Sequence, residues 1–263
     1  MTDDLIDLID SHAHMDAAQF NADRENALTR ATDAGVRRII NIGHNPGAWP
    51  TTLALAAAHP GIWACLGVHP HDAGVWNDAL LPRLRELHAH PKAVAVGETG
   101  LDYYRDRAPR DKQREAFAAQ LALARELGKP VVIHHREAPD DLLTLLRADA
   151  ATHGPLRGVL HAFNGGPDFA HTLLDLGLHL GIGGPLTFKN ATDLHAAARV
   201  VPLERIVFET DCPYLAPDPF RGKRNEPAYV PRIAARLAEL RGMPVAAVAA
   251  ATTANAVRLF GLA

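Results

Sequence analysis

Apolar runs of strand length recur along the chain, each followed by a stretch whose apolar residues return every three or four positions. The runs are LIDLID (5–10), RRIINIG (37–43), IWACLGV (62–68), AVAVG (93–97), PVVIH (130–134), GVLHAF (158–163), LHLGIG (178–183) and RIVFET (205–210). Helices are predicted at 21–34, 47–59, 78–90, 109–128, 138–150, 167–176, 190–200 and 228–241, with a last one at 245–260. The clearest is 109–128, where Phe117, Leu121, Ala124 and Leu127 share a face and Gly128 is a stop signal. Eight strand–helix alternations in a chain of 263 residues predict an α/β fold, a (β/α)8 TIM-type barrel. The strands are continuously apolar, as parallel strands buried on both faces should be. An open doubly wound sheet would want a glycine-rich turn after its first strand. Here that strand runs into SHAHMD instead. With no linker, low-complexity tract or repeat, 1–263 reads as a single domain. The Pro-rich segment 213–227, after the eighth strand, reads as a functional loop.

Composition adds exclusions. Hydrophobic residues make up 48% and charged residues 22%, the balance of an ordinary globule. The 27 basic and 30 acidic residues leave a net charge of −3, so bulk charge marks no nucleic-acid binder, though a local basic patch is compatible with it. Two unpaired cysteines, Cys65 and Cys212, point to a reducing, cytoplasmic setting. The N-terminal Asp3 and Asp4 do not suit a signal peptide. No run of about 18 apolar residues suggests a membrane span, and nothing calls for an obligatory protein partner. The one unusual number is 15 histidines.

Active sites of such barrels form at the C-terminal ends of the strands. There the sequence places His12 and His14, His69 and His71, Glu98, His134 and His135, His161, then Glu209 and Asp211. Singly, each has a plainer explanation: a packed histidine, a solvated loop acid, a turn cap. Together they do not, because uncompensated polar groups at the ends of buried strands are costly. A shared pair of divalent ions is the simplest compensation. Imidazoles and carboxylates without thiolates suit Zn²⁺, Mn²⁺ or, with fewer histidines, Mg²⁺. Cys212, next to Asp211, should turn away from the site by strand alternation.

The segments SHAHMD, GVHPHD, GETGLDYY, IHHREA, HAFNG, ETDCPYL and FRGKRNEPAYV, in this order and over nearly the whole chain, resemble the TatD family of metal-dependent deoxyribonucleases. The family belongs to the amidohydrolase-like hydrolases, which are (β/α)8 barrels. The resemblance implies two metals: His12, His14 and Asp211 on the first, His134 and His161 on the second, Glu98 bridging. Thr99 departs from it, standing where a small apolar residue is expected. Related hydrolases bridge their metals with a carboxylated lysine after the fourth strand, but Lys92 and Lys129 begin strands here and belong to the opposite rim.

On this reading the substrate is DNA, attacked at phosphorus by a metal-activated water, most simply at single-stranded ends. Asp211 is the expected base and His69 a donor to a phosphate oxygen, with His71 structural. Glu209 is expected to orient a metal-bound imidazole. Arg221 and Arg224, with Lys223 left to solvent, are candidates to grip phosphates. Tyr103 is a candidate to stack a base, as is Tyr104. Two alternatives stay open: a hydrolase of another bond, such as the ester of a D-aminoacyl-tRNA, and a non-catalytic metal-holding scaffold.

Overall fold

The computed structural model describes residues 7–77 and 79–262. In chain order the elements are β1 (Leu8–Ala13), α1 (Arg24–Asp33), β2 (Val36–Gly43), α2 (Trp49–Ala58), β3 (Ile62–Leu66), α3 (Leu80–Leu87), β4 (Ala93–Asp102), α4 (Arg110–Leu127), β5 (Val131–Arg136), α5 (Pro139–His153), β6 (Gly158–Leu160), α6 (Pro167–Asp175), β7 (His179–Ile182), α7 (Thr192–Val200), β8 (Ile206–Phe208), α8 (Val230–Arg241) and α9 (Val245–Phe260). The strands form one sheet in the order β1-β2-β3-β4-β5-β6-β7-β8, with parallel pairing. This is the (β/α)8 barrel class. Among the described residues no single helix is long and apolar enough to cross a membrane.

The described residues group into two compact units. One gathers those up to Asn41, Ala162–Leu174 and those from His179 on; the other holds Ile42–His161 and Asp175–Leu178. In the first, α9 lays Val248, Ala249, Ala256, Leu259 and Phe260 into the core. Asn255 on the same face donates to the carbonyls of Leu203 and Ile206, which satisfies the start of β8. In the second, Phe117, Leu121 and Leu123 of α4 are buried with Leu66, Val131, Val132 and Ile133. Each such side chain contributes about 1.5–3 kcal/mol on leaving water. Gly128 ends α4 at φ 61, a left-handed cap that favours glycine.

The predicted elements recur with two informative differences. The first strand, described from Leu8, runs past the predicted end at Asp10 through His12 to Ala13; Leu5 and Ile6, like Asp3, Asp4 and the predicted helix start Asp78, lie outside the described residues. The fourth strand does not stop at Gly97. It continues through GETGLD, entirely buried, to Asp102. Its polar residues read as a loop, yet their backbone pairs with β5: Gly97 with Val132, Thr99 with Ile133, Gly100 with His134 and Asp102 with Arg136. The register skips one residue at Glu98, the irregularity by which a strand re-aims a side chain. Gly97 and Gly100 flank it at φ 140 and 143, and a Cβ on Gly100 would run into the His134 carbonyl.

Candidate metal centre

The first unit brings His12, His14 and Asp211 together. The segment after β8 lies along the end of β1: Asp211 N–H donates to the His12 carbonyl at 2.8 Å and His14 N–H to the Cys212 carbonyl at 2.9 Å. Ala13 and Cys212 form a parallel bridge. Asp211 sits at φ 55, a left-handed conformation uncommon for a residue with a Cβ. A hydrogen-bond frame holds it there. The buried Asp10 carboxylate accepts from His12 N–H at 3.2 Å, Thr210 N–H at 3.0 Å and the Thr210 hydroxyl at 2.5 Å. Burial pushes Asp10 up to about 7, against those bonds. Asn225, fully buried, donates to the carbonyls of Thr210 and Tyr214. Cys212 turns away, as expected, with its sulfur 3.7 Å from that of Met15.

Asp211 Oδ1 lies 3.6 Å from His12 Nε2 and 3.4 Å from His14 Nε2. Those are poor hydrogen-bond lengths. They match the edge of a tetrahedron whose donors sit about 2.1 Å from a zinc-like ion, an edge of about 3.4 Å. His12 is buried while His14 and Asp211 keep some exposure, so the cluster opens to solvent on one side. Glu209 is buried and accepts the Ala162 N–H at 2.6 Å.

The second unit brings Glu98, His134 and His161 together. Glu98 Oε1 lies 2.9 Å from His134 Nδ1 and 2.7 Å from His161 Nε2, and these two nitrogens are 3.2 Å apart. The other His134 nitrogen, Nε2, meets Asp102 Oδ2 at 3.1 Å. Burial opposes ionisation of Asp102, but hydrogen bonds from His134, Arg105 N–H and His71 hold its carboxyl well below the usual range. The carboxylate therefore accepts a hydrogen bond from the Nε2–H of a neutral His134, whose Nδ1 lone pair then faces Glu98 and His161. Such a convergence of acceptors needs a cation or an extra proton. Burial works against a protonated His134, yet the bonds to Asp102 and Glu98 outweigh it and raise its pKa. A divalent ion supplies the same compensation to the same atoms, so the residues fit one.

His69 belongs to the same neighbourhood in a different role. Its Nδ1 accepts the His71 N–H at 3.0 Å, so the neutral ring carries its proton on Nε2, 3.4 Å from Glu98 Oε1. Burial pulls its pKa down to about 3, keeping it neutral. His69 is thus a proton-bearing donor, although proximity alone would admit it as a ligand. His135 turns aside: its Nε2 accepts the Ala138 N–H at the start of α5.

Several supporting residues escaped the sequence reading. Gln113 and Gln120 share the buried face of α4 with Phe117 and Leu121. Gln113 Oε1 accepts Asp102 N–H at 2.8 Å; Gln120 clasps the backbone of Val68, beside His69, and donates to Thr99 Oγ1 at 2.7 Å. The departure at Thr99 thus has a buried partner. The available signal was two glutamines one heptad apart on a face otherwise apolar. Lys129 donates to the carbonyls of His88 and Ala93 at the start of β4, as expected for the opposite rim.

The proposed substrate contacts separate. Arg224 is bidentate to Asp23, donates to the Gln19 carbonyl and lies over Phe20. Arg221 is exposed, its guanidinium 4.4 Å from the Phe188 ring centre. Tyr103 is half-buried, its hydroxyl tied to Asp141 and Arg114 and its ring under Arg110.

A (β/α)8 frame carrying clustered imidazoles and carboxylates is that of a metal-dependent hydrolase. The family model described as TatD related DNase matches residues 9–261, and the chain belongs to that family. A Bacillus subtilis (strain 168) protein described as the uncharacterized metal-dependent hydrolase YabD is 41% identical over 253 residues, 96% of this chain and 98% of its own. A "3'-5' ssDNA/RNA exonuclease TatD" of Escherichia fergusonii is 37% identical over 261 residues, 97% of this chain and 99% of its own. The solved structure of YJJV, a TATD homolog from Escherichia coli k12, has a TM-score of 0.91 at 32% identity, covering 98% of this chain and 100% of that one.

Proposed function

We propose that the chain, as one catalytic domain over 1–263, is a deoxyribonuclease that hydrolyses phosphodiester bonds from single-stranded ends, in the cytoplasm, with two divalent ions (Mg²⁺, Mn²⁺ or Zn²⁺). The observation that carries it is the convergence of Glu98, His134 Nδ1 and His161 Nε2, beside a proton-bearing donor, His69. The resemblance assigns His12, His14 and Asp211 to one ion, His134 and His161 to the other and Glu98 to both. Divalent ions so held would lower the pKa of water toward neutrality and neutralise charge on a phosphate. Asp211 would take the proton of the attacking water. His69 Nε2–H would donate to a phosphate oxygen, its neutral state sparing the cluster a further positive charge. Glu209, buried and accepting the Ala162 N–H, would orient a metal-bound imidazole. Arg221 would meet the strand's backbone, whereas Arg224 and Tyr103 would shape the loops that carry the contacts. The relative described as acting on single-stranded DNA and RNA supports the substrate class, and free, buried Cys65 and Cys212 support the compartment. Partial exposure of His14 and Asp211 speaks against a closed scaffold site.

The test is cleavage of end-labelled single-stranded DNA by chelator-stripped and metal-reloaded protein, with a D-aminoacyl-tRNA in parallel. Metal-restored shortening of the DNA from one end is expected. Deacylation of the tRNA with intact DNA would replace this reading with the ester one.

A further inference from the structure

A second feature of the β4–β5 edge takes no part in the chemistry above. Tyr104 is 50% exposed immediately beyond β4. The Arg136 guanidinium, at the end of β5, lies 4.0 Å from the centre of its ring, and that of Arg105 lies 5.2 Å away. Both arginines are exposed and, among the described residues, neither forms an ion pair. Their neighbours differ: Arg110 is held by Asp106 and Arg114 by Asp141. The adjoining Asp102 and Asp106 are already engaged, and Glu137 makes no ion pair with Arg136. A guanidinium against a ring uses its π face and leaves its edge N–H groups free.

The patch is fastened to the ligand cluster. Asp102 Oδ2 takes His134 and His71, while Asp102 Oδ1 accepts the backbone N–H of Tyr104 at 3.1 Å and of Arg105 at 2.7 Å. The Tyr103 N–H donates to the Arg136 carbonyl at 2.9 Å. One carboxylate thus sets both the His134 tautomer and the backbone of the patch.

We propose that Tyr104, Arg105 and Arg136 form a subsite for single-stranded nucleic acid, with phosphates on the guanidinium edges and a base against the tyrosine ring. The proposal rests on the nuclease reading for its substrate class. Alternating guanidinium and aromatic groups are the chemistry of single-strand binding. A small phosphodiester, with its only anionic group at the ligand cluster, has no second phosphate to place on these guanidiniums.

The test is anisotropy of a fluorescein-labelled, single-stranded phosphorothioate oligothymidylate with metal-loaded protein, alongside hydrolysis of bis(p-nitrophenyl) phosphate. Tyr104→Ala and the double change Arg105→Gln, Arg136→Gln should each weaken oligonucleotide binding about tenfold. Tyr104→Phe should bind like wild type, and kcat/KM for the small diester should stay unchanged in all three. The double variant should also flatten the salt dependence of binding. Wild type that does not bind the oligonucleotide, unchanged affinity in the variants, or a parallel fall in small-diester hydrolysis would each overturn the subsite. Binding lost in the variants although wild type never cleaves unmodified single-stranded DNA would uphold the subsite and sink only the nuclease reading.

Discussion

In the His12–His14–Asp211 cluster the carboxylate oxygen stands 3.4 and 3.6 Å from the imidazole nitrogens. In the Glu98–His134–His161 cluster the corresponding separations are 2.7 and 2.9 Å. The first spacing is that of donors arranged around an ion; the second is that of groups sharing a proton. Their supports differ accordingly. The first is braced from the backbone, by Asp10 and Asn225 gripping peptide groups around Thr210. The second is braced through a side chain, by Asp102 fixing the His134 tautomer. Donor sets of similar composition can therefore fail in different ways: the first by distortion, the second by misplacing a proton.

The sharpest way to break this contrast is Asp211→Asn, which keeps shape but removes charge and basicity. Turnover should fall about 10²–10⁴-fold, the usual loss for a general base. Near-wild-type single-turnover rates under saturating metal would remove Asp211 from proton transfer. Next in size is Asp102→Asn, aimed at the other cluster. The amide removes the negative charge that draws the His134 Nε2 proton. Metal affinity should drop about 10–100-fold, as when an oriented ligand loses its outer partner. Elemental analysis across a chelator titration reads it, and unchanged affinity would show that the tautomer is set elsewhere.

The same contrast explains what the sequence made legible. Every strand–helix alternation was visible because buried parallel strands are continuously apolar. His12, His14, Glu98, His134, His161, Glu209 and Asp211 stood out because polar groups at the ends of such strands are anomalous. Asp102 did not: it belongs to GETGLD, a polar run that reads as loop yet continues β4, so its strand position was hidden. Asn225 lay within a basic stretch whose charges drew attention away from a neutral amide. Nor could charge counting reveal that Arg224 is engaged by Asp23, a partner 201 residues away. Pairing is a tertiary fact, and the same composition serves a free or an engaged guanidinium.

Asn225→Ala sharpens the backbone side of the comparison. It orphans the carbonyls of Thr210 and Tyr214 and the Glu226 N–H, which the Asn225 side chain satisfies. A cost of about 1–3 kcal/mol follows from unsatisfied buried groups, read as a lower midpoint in urea. Metal stoichiometry should fall toward the second cluster alone. A destabilised protein that keeps full stoichiometry would mean that the frame supports the fold and not the ligands.

The smallest effects separate two arginines of one loop. Arg221 is exposed and lies on Phe188, whereas Arg224 spends its fork on Asp23. Arg221→Ala should raise KM for single-stranded DNA a few-fold and reduce the salt slope of binding by about 0.7, the value for one phosphate on a single strand. Turnover at saturation should hardly change, provided the contact is equally strong in ground and transition states. Arg224→Ala should leave the salt slope alone and act on the loop. The Arg224 fork is the leading reason that the Asp23 carboxyl is held down at about 2. A depressed carboxylate pKa means stability present above about pH 4, the unfolded value, and lost as pH falls through about 2. Thermal midpoints of wild type and Arg224→Ala should therefore differ at neutral pH and converge on acidification across that window. An unchanged salt slope in Arg221→Ala would leave Arg221 as solvated surface. A reduced slope in Arg224→Ala would show that DNA takes its guanidinium from Asp23.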